Sequence, residues 1–123
     1  MRPGELQMMS VAQLVERFEA IALAQDEAIL YDEIKKFNRL FGQMENVKEE
    51  LKSRVGDQRR ALMVLYEHPN AQVRLKAAKA TLAVAPQEAR RLIEVIADSH
   101  EFPQAGDAGM TLLALDEGIF KPT

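Results

Sequence analysis

Cysteine and tryptophan are absent from this 123-residue sequence, and histidine occurs only twice. Without thiols there is no disulfide, no thiolate metal site and no cysteine nucleophile. His68 and His100, with no cysteine beside them, are a poor basis for a zinc centre. Both flank predicted turns and read as solvated loop residues, with Asp98-Ser99-His100-Glu101 offering at most a weak divalent-ion contact. Glycine-rich phosphate loops are missing too: Gly106 and Gly109 stand alone, with no lysine at the needed spacing. No serine, histidine and acid fall into a nucleophile signature. The longest apolar runs, such as Leu62–Tyr66, fall far short of the roughly 20 residues of a membrane helix. The N-terminal stretch lacks the apolar segment of a secretory signal. A formal net charge of −3 provides no field to draw in nucleic acid or an anionic membrane. These absences leave no catalytic, cofactor-binding or metal residue to nominate. They predict a non-enzyme and make the cytoplasm the default location.

What is present is helical periodicity, with no convincing two-residue alternation. Ser10-Val11-Ala12-Gln13 has the capping-box pattern and opens a helix to about Gln25 through Val11, Leu14, Val15, Phe18, Ile21 and Ala22. Asp26 caps a second helix bearing Leu30, Tyr31, Ile34, Phe37, Asn38 and Phe41, ending near Gly42. Asn46–Glu49 reads as another capping box, starting a short helix to about Arg54. Asp57 caps the next, with Ala61, Leu62 and Leu65 inward. Pro69 interrupts, and Asn70 caps a helix to about Val84. Pro86 starts another, with Ala89, Leu92, Ile93 and Ile96 on one face. Ser99–Asp107 reads as a loop, and a last helix covers about Ala108–Glu117 with Gly118 as its left-handed terminator. Residues 1–9 read as a floppy tail in which Met8 or Met9 offers an alternative start. Residues 10–118 read as one domain and 119–123 as a C-terminal tail.

Shifting the chain by 31 residues lays Asp57–His68 over Glu88–Ser99, with Arg59-Arg60 on Arg90-Arg91 and Leu62 and Leu65 on Ile93 and Ile96. The second halves follow, Ala77-Ala78 on Ala108-Gly109 and Leu82 on Leu113. One step further back, Asp26, Leu30, Tyr31 and Ile34 fall more faintly under Asp57, Ala61, Leu62 and Leu65. The pattern predicts an all-α fold with a capping helix and about three degenerate helical hairpins; an irregular α-helical bundle is the alternative. Hairpins of this size must stack to bury their apolar faces. Ala77, Ala78 and Ala80 would permit the close approach that stacking needs.

Arg60–Val84 resembles a HEAT-type repeat in its leucine-rich first helix, Pro-Asn turn, Val-Arg entry and Ala-Ala spacing. With Phe37–Phe41 and Ala85–Ala97 it also resembles a family of short bacterial proteins carrying only a domain-of-unknown-function label. The spacing is shorter than the roughly 40 residues of ordinary HEAT repeats. The resemblance implies a HEAT-like α-superhelix and brings no activity with it. It also places Arg74 where such repeats carry an arginine that bonds across to the next repeat. There it reads as a structural strut for helix-end carbonyls or a nearby acid, Asp107 or Glu88.

Asn38 shares a face with Ile34 and Phe41 and is expected to be at least half-buried, as an inter-helix strut or a ligand contact. Asp32-Glu33 and Lys35-Lys36 are spaced for ion pairs on an exposed helix face. Lys76 and Lys79 are expected on the outward surface of a second helix. Arg59, Arg60, Arg90 and Arg91 would line one edge, but without interleaved aromatics to stack bases. The reading that follows is a protein-interaction module, for a protein partner or self-association, with Asn38, Arg39, Lys76 and Lys79 as candidate contacts. A neutralising, immunity-type partner of a toxin or regulated enzyme is the alternative, and nucleic-acid binding is the weakest of the three.

Overall fold

A computed structural model describes residues 3–123, with side-chain environments from Gly4 onward. The tail expectation at residues 1 and 2, including a start at Met1, lies outside the described residues. Among those described, every regular element is helical. In chain order they are α1 (Pro3–Gln7), α2 (Val11–Leu30), α3 (Ile34–Ser53), a 3₁₀ segment (Gln58–Glu67), α4 (Ala71–Thr81), α5 (Pro86–Ala97) and α6 (Gln104–Asp116). The described chain divides at Ala61–Leu62 into two compact units, where the sequence predicts a single domain.

The first unit is built on the α2–α3 hairpin. Ser10 forms the predicted capping box: its hydroxyl accepts from the Gln13 amide at 3.1 Å, and its own amide donates to Gln13 Oε1 at 2.8 Å. From there α2 runs 20 residues without a break, because Asp26 interrupts neither the backbone bonds nor the buried stripe Leu14, Phe18, Ile21, Gln25 and Ala28. The expected boundary at Asp26 is therefore absent. Likewise α3 continues through Gly42 and Asn46. A helix-interior glycine costs about 1 kcal/mol. Burial of Leu40, Met44, Val47 and Leu51 along the same helix outweighs it.

The predicted floppy tail is partly ordered. In α1, Leu6 is buried. Arg54 Nη2 donates to the carbonyls of Leu6 at 3.0 Å and Met9 at 2.8 Å, while its Nε donates to Glu50 at 2.6 Å. One guanidinium thus satisfies carbonyls that the end of so short a helix leaves open.

The segment after α3 adopts 3₁₀ geometry, and its buried residues Arg59, Leu62 and Leu65 recur every third position, the period of that helix. In the second unit Asn70 caps α4 as predicted, its Oδ1 accepting from the amides of Gln72 (2.8 Å) and Val73 (3.2 Å). Pro86 stands at the start of α5. The core joins Leu75, Ala78 and Leu82 with Ala89, Ile93, Ile96 and Ala108. Alanines from α4, α5 and α6 are fully buried in it, as a close approach of three helices requires. α6 begins at Gln104, inside the predicted loop, and is closed beyond its Glu117 cap by Gly118, with a positive φ of 71°. The Gly118 and Ile119 amides donate back to Leu115 and Ala114, the left-handed stop the sequence predicts. Of the predicted C-terminal tail, Phe120 packs against the core.

Candidate interaction surface

The turn between α2 and α3 is three residues long. Asp32 adopts a left-handed conformation (φ 55°). Its amide donates to Ile29 at 3.2 Å and the Glu33 amide donates to Ala28 at 2.8 Å, a Schellman closure with aspartate in the place glycine usually holds. This sharp reversal leaves Leu30, Tyr31 and Ile34 exposed, Ile34 to 66%. Ile34, Phe37 and Phe41 lie at i, i+3 and i+7 and so share one stripe of α3. Phe37 is half-buried and Phe41 is 46% exposed. At the end of that stripe a shallow groove of about 220 Å³ is lined by Ala28, Ile29, Ile34 and Phe37, with Asp32 and Glu33 on its rim.

Ion pairs expected between Asp32-Glu33 and Lys35-Lys36 are not formed among the described residues. Their spacing assumed a shared helix. Asp32 is a turn residue and Glu33 only the N-cap, so the first true helical position is Ile34.

The candidate contacts divide between the two units. Asn38 is exposed, not half-buried, since the buried stripe of α3 is Leu40–Met44–Val47–Leu51 and Asn38 lies nearly opposite it. It does neighbour Ile34 and Phe41, but on a solvent-facing stripe. Arg39 is exposed as well. In the second unit the lysines are not outward. Lys76 is 8% exposed, and Lys79 is half-buried and ion-paired to Asp107 at 3.2 Å. Lys79 belongs to a polar seam between α4 and α6. There Gln104 donates to Gln72 at 3.0 Å in a buried amide pair, and Thr111 donates to the Asp107 carbonyl at 2.9 Å. Buried amides are stable only when so paired.

Arg74 stands beside this seam. Its Nη1 donates to the carbonyls of His68 (2.8 Å) and Pro69 (3.0 Å), and its Nη2 to Glu101 at 3.1 Å. The acid it meets is thus Glu101, not Asp107 or Glu88. His68 accepts at Nδ1 from the Asn70 amide at 3.0 Å.

Three groups are electrostatically perturbed. Asp57 forks the Arg59 guanidinium, with Oδ1–Nε at 2.9 Å and Oδ2–Nη2 at 2.7 Å. The guanidinium's hydrogen bonds hold the Asp57 carboxyl below its usual range. The same contact raises Arg59, which is buried. Burial pushes the Tyr66 hydroxyl up, against an opposing hydrogen bond with Thr81. Arg90 meets Asp116 at 2.9 Å and Glu94 at 3.5 Å. Arg59 and Arg90, expected on a basic edge, therefore both face acids of the chain. Among the described residues no three His, Asp or Glu side chains are grouped to hold a metal ion, and no helix is long and apolar enough to cross a membrane.

These features define a small all-helical protein whose exposed apolar residues include those gathered at one helical hairpin end. The chain belongs to the family described as "Domain of unknown function (DUF2019)", whose pattern matches residues 12–116. It is also similar to a bacterial protein of solved structure, described as "Crystal Structure of the Protein RPA1889 from Rhodopseudomonas palustris CGA009". The two are 55% identical, with a TM-score of 0.93 over 96% of this chain and 98% of that one. Among curated proteins there is no match. Neither description names an activity.

Sequence reasoning missed the hairpin end because it assigned Leu30, Tyr31, Ile34 and Phe41 to a core. A usable signal was present: continuing the α2 stripe from Leu14, Phe18, Ile21 and Gln25 at 100° per residue reaches Ala28 and leaves Leu30 on the far side.

Proposed function

We propose that this protein is a non-enzymatic, cytoplasmic interaction module of HEAT-like helix pairs that binds a protein partner through the end of its α2–α3 hairpin. The observation that carries the reading is the exposed stripe Ile34–Phe37–Phe41 with Tyr31 and Leu30 beside it. Grouped apolar side chains in water are costly to maintain unless something covers them. Of the sequence candidates, Asn38 stays on this surface between Ile34 and Phe41, and Arg39 is its exposed neighbour. Lys76 and Lys79 are less accessible to a partner, because Lys76 is buried and Lys79 is ion-paired to Asp107. The helix-pair reading draws support from the 31-residue register, which lays the 3₁₀ segment on α5 and α4 on α6.

The test is affinity capture from the source cells with wild-type protein and with Ile34→Glu. Ile34 is exposed, so the variant should fold normally by circular dichroism and lose the captured protein. Unchanged capture by the folded variant would refute the assignment of this surface.

A second reading, a neutralising partner of a basic toxin or regulated enzyme, draws on the exposed acids Asp32 and Glu33, which lack ion pairs among the described residues. Binding by that route would weaken with added salt and on reversal of both charges.

A further inference from the structure

We infer that the groove at the α2–α3 turn is a docking site for a short basic-apolar segment of a partner protein, a leucine- or phenylalanine-sized side chain flanked by lysine or arginine. The inference rests on the interaction reading above and adds the chemistry of the partner. Three observations converge on it.

First, size. About 220 Å³ lies below the roughly 300–1,000 Å³ of sites that enclose small-molecule ligands. It accommodates one large side chain presented from outside. Second, lining. Ala28, Ile29, Ile34 and Phe37 supply an apolar floor, so the inserted group is apolar. Third, charge. Asp32 and Glu33 form the rim, are exposed, and have no ion pair among the described residues.

The left-handed φ of Asp32 and the two amide bonds of the turn fix where its side chain leaves the backbone. The nearest cations in sequence, Lys35, Lys36 and Arg39, form no ion pair with Asp32 or Glu33 among the described residues. Helical spacing puts them on the flank of α3 opposite Ile34, Phe37 and Phe41. An acidic segment would therefore meet like charge beside the groove, while a basic one meets opposite charge there. Rim charges of this kind select partners and speed encounter more than they add affinity.

The experiment titrates the full-length, isotope-labelled protein with three synthetic hexapeptides, KKLLKK, EELLEE and KKSSKK, and follows amide resonances. KKLLKK is expected to shift residues 28–37 and to bind more tightly than the other two. The double variant Asp32→Asn/Glu33→Gln should weaken KKLLKK between about twofold and thirtyfold, the range of two exposed ion pairs. Asparagine retains the left-handed turn, and an unchanged thermal midpoint would show that the variant is folded. Raised salt should weaken wild type and have little effect on the variant.

Equal binding of KKLLKK and EELLEE, or shifts confined to other residues, overturns the inference. So does movement of the same resonances on concentrating the protein alone, which would make a second copy the occupant. Loss of capture in Ile34→Glu without binding of any peptide would overturn this inference and leave the interaction reading standing. No effect in either experiment would remove both.

Discussion

Arg74 is the residue at which a strut and a binding site predict opposite outcomes. Its guanidinium donates to two carbonyls at the end of the 3₁₀ segment, those of His68 and Pro69, and to Glu101 ahead of α6. The side chain is 18% exposed, whereas that of Glu101 is 52% exposed. Hydrogen bonds from a charged donor contribute about 1.5–3 kcal/mol each when buried, and an exposed ion pair at most about 1 kcal/mol. Partial exposure discounts the carbonyl bonds, so Arg74→Ala is expected to cost about 2–3 kcal/mol. Glu101→Ala should cost less than about 1 kcal/mol, and Arg74→Lys, which cannot span both carbonyls and the acid, should fall between. In urea denaturation the midpoint should fall in that order with an unchanged slope, and Arg74→Ala should lower the melting temperature by roughly 10–15 °C. Equal losses for Arg74→Ala and Glu101→Ala would refute the assignment of the energy to the carbonyls. Arg74→Ala at wild-type stability but with lost partner capture would make Arg74 a site.

Ala78→Leu forces a large side chain into a fully buried contact with α5 and α6 and should cost about 1–3 kcal/mol by calorimetry; an unchanged melting temperature would contradict that packing. Asp57, depressed by Arg59, contributes stability that is complete above the ordinary carboxylate value near 4 and is lost as pH falls through its depressed one. Asp57→Asn keeps the left-handed turn but not the charge. It should cost about 1 kcal/mol at neutral pH, with the two stability curves converging in acid. Tyr66, raised by burial, contributes stability that is complete below about pH 10 and declines as pH climbs through its raised value. Tyr66→Phe should therefore flatten the alkaline limb of a denaturation series.

Legibility of the sequence tracked the range of the interaction involved. The Ser10 and Asn70 caps, Pro86 and Gly118 all act within one turn of chain, and each stands where its local chemistry puts it. The boundaries expected at Asp26 and at Gly42–Asn46 failed because those residues also tolerate helix interiors, and burial along α2 and α3 decides the matter. The 3₁₀ geometry of Gln58–Glu67 was hidden because Arg59, Leu62 and Leu65 satisfy three-residue and helical spacing alike over so short a run.

The candidate site was half visible. Grouping Asn38 with Ile34 and Phe41 was correct, but periodicity identifies a stripe without saying whether it faces core or solvent. Lys76 and Lys79 illustrate the converse. Charge argued for an outward position, while Asp107 and the α4–α6 seam lie 28 or more residues away in sequence and leave no local trace.

The most direct test of the hairpin end as the contact surface is photocrosslinking in the source cells. A benzophenone side chain would replace Phe41 in one protein and Val95, an exposed residue of α5, in another. The account predicts a discrete protein adduct from position 41 and none from position 95. An adduct from position 95 with none from 41 would contradict it.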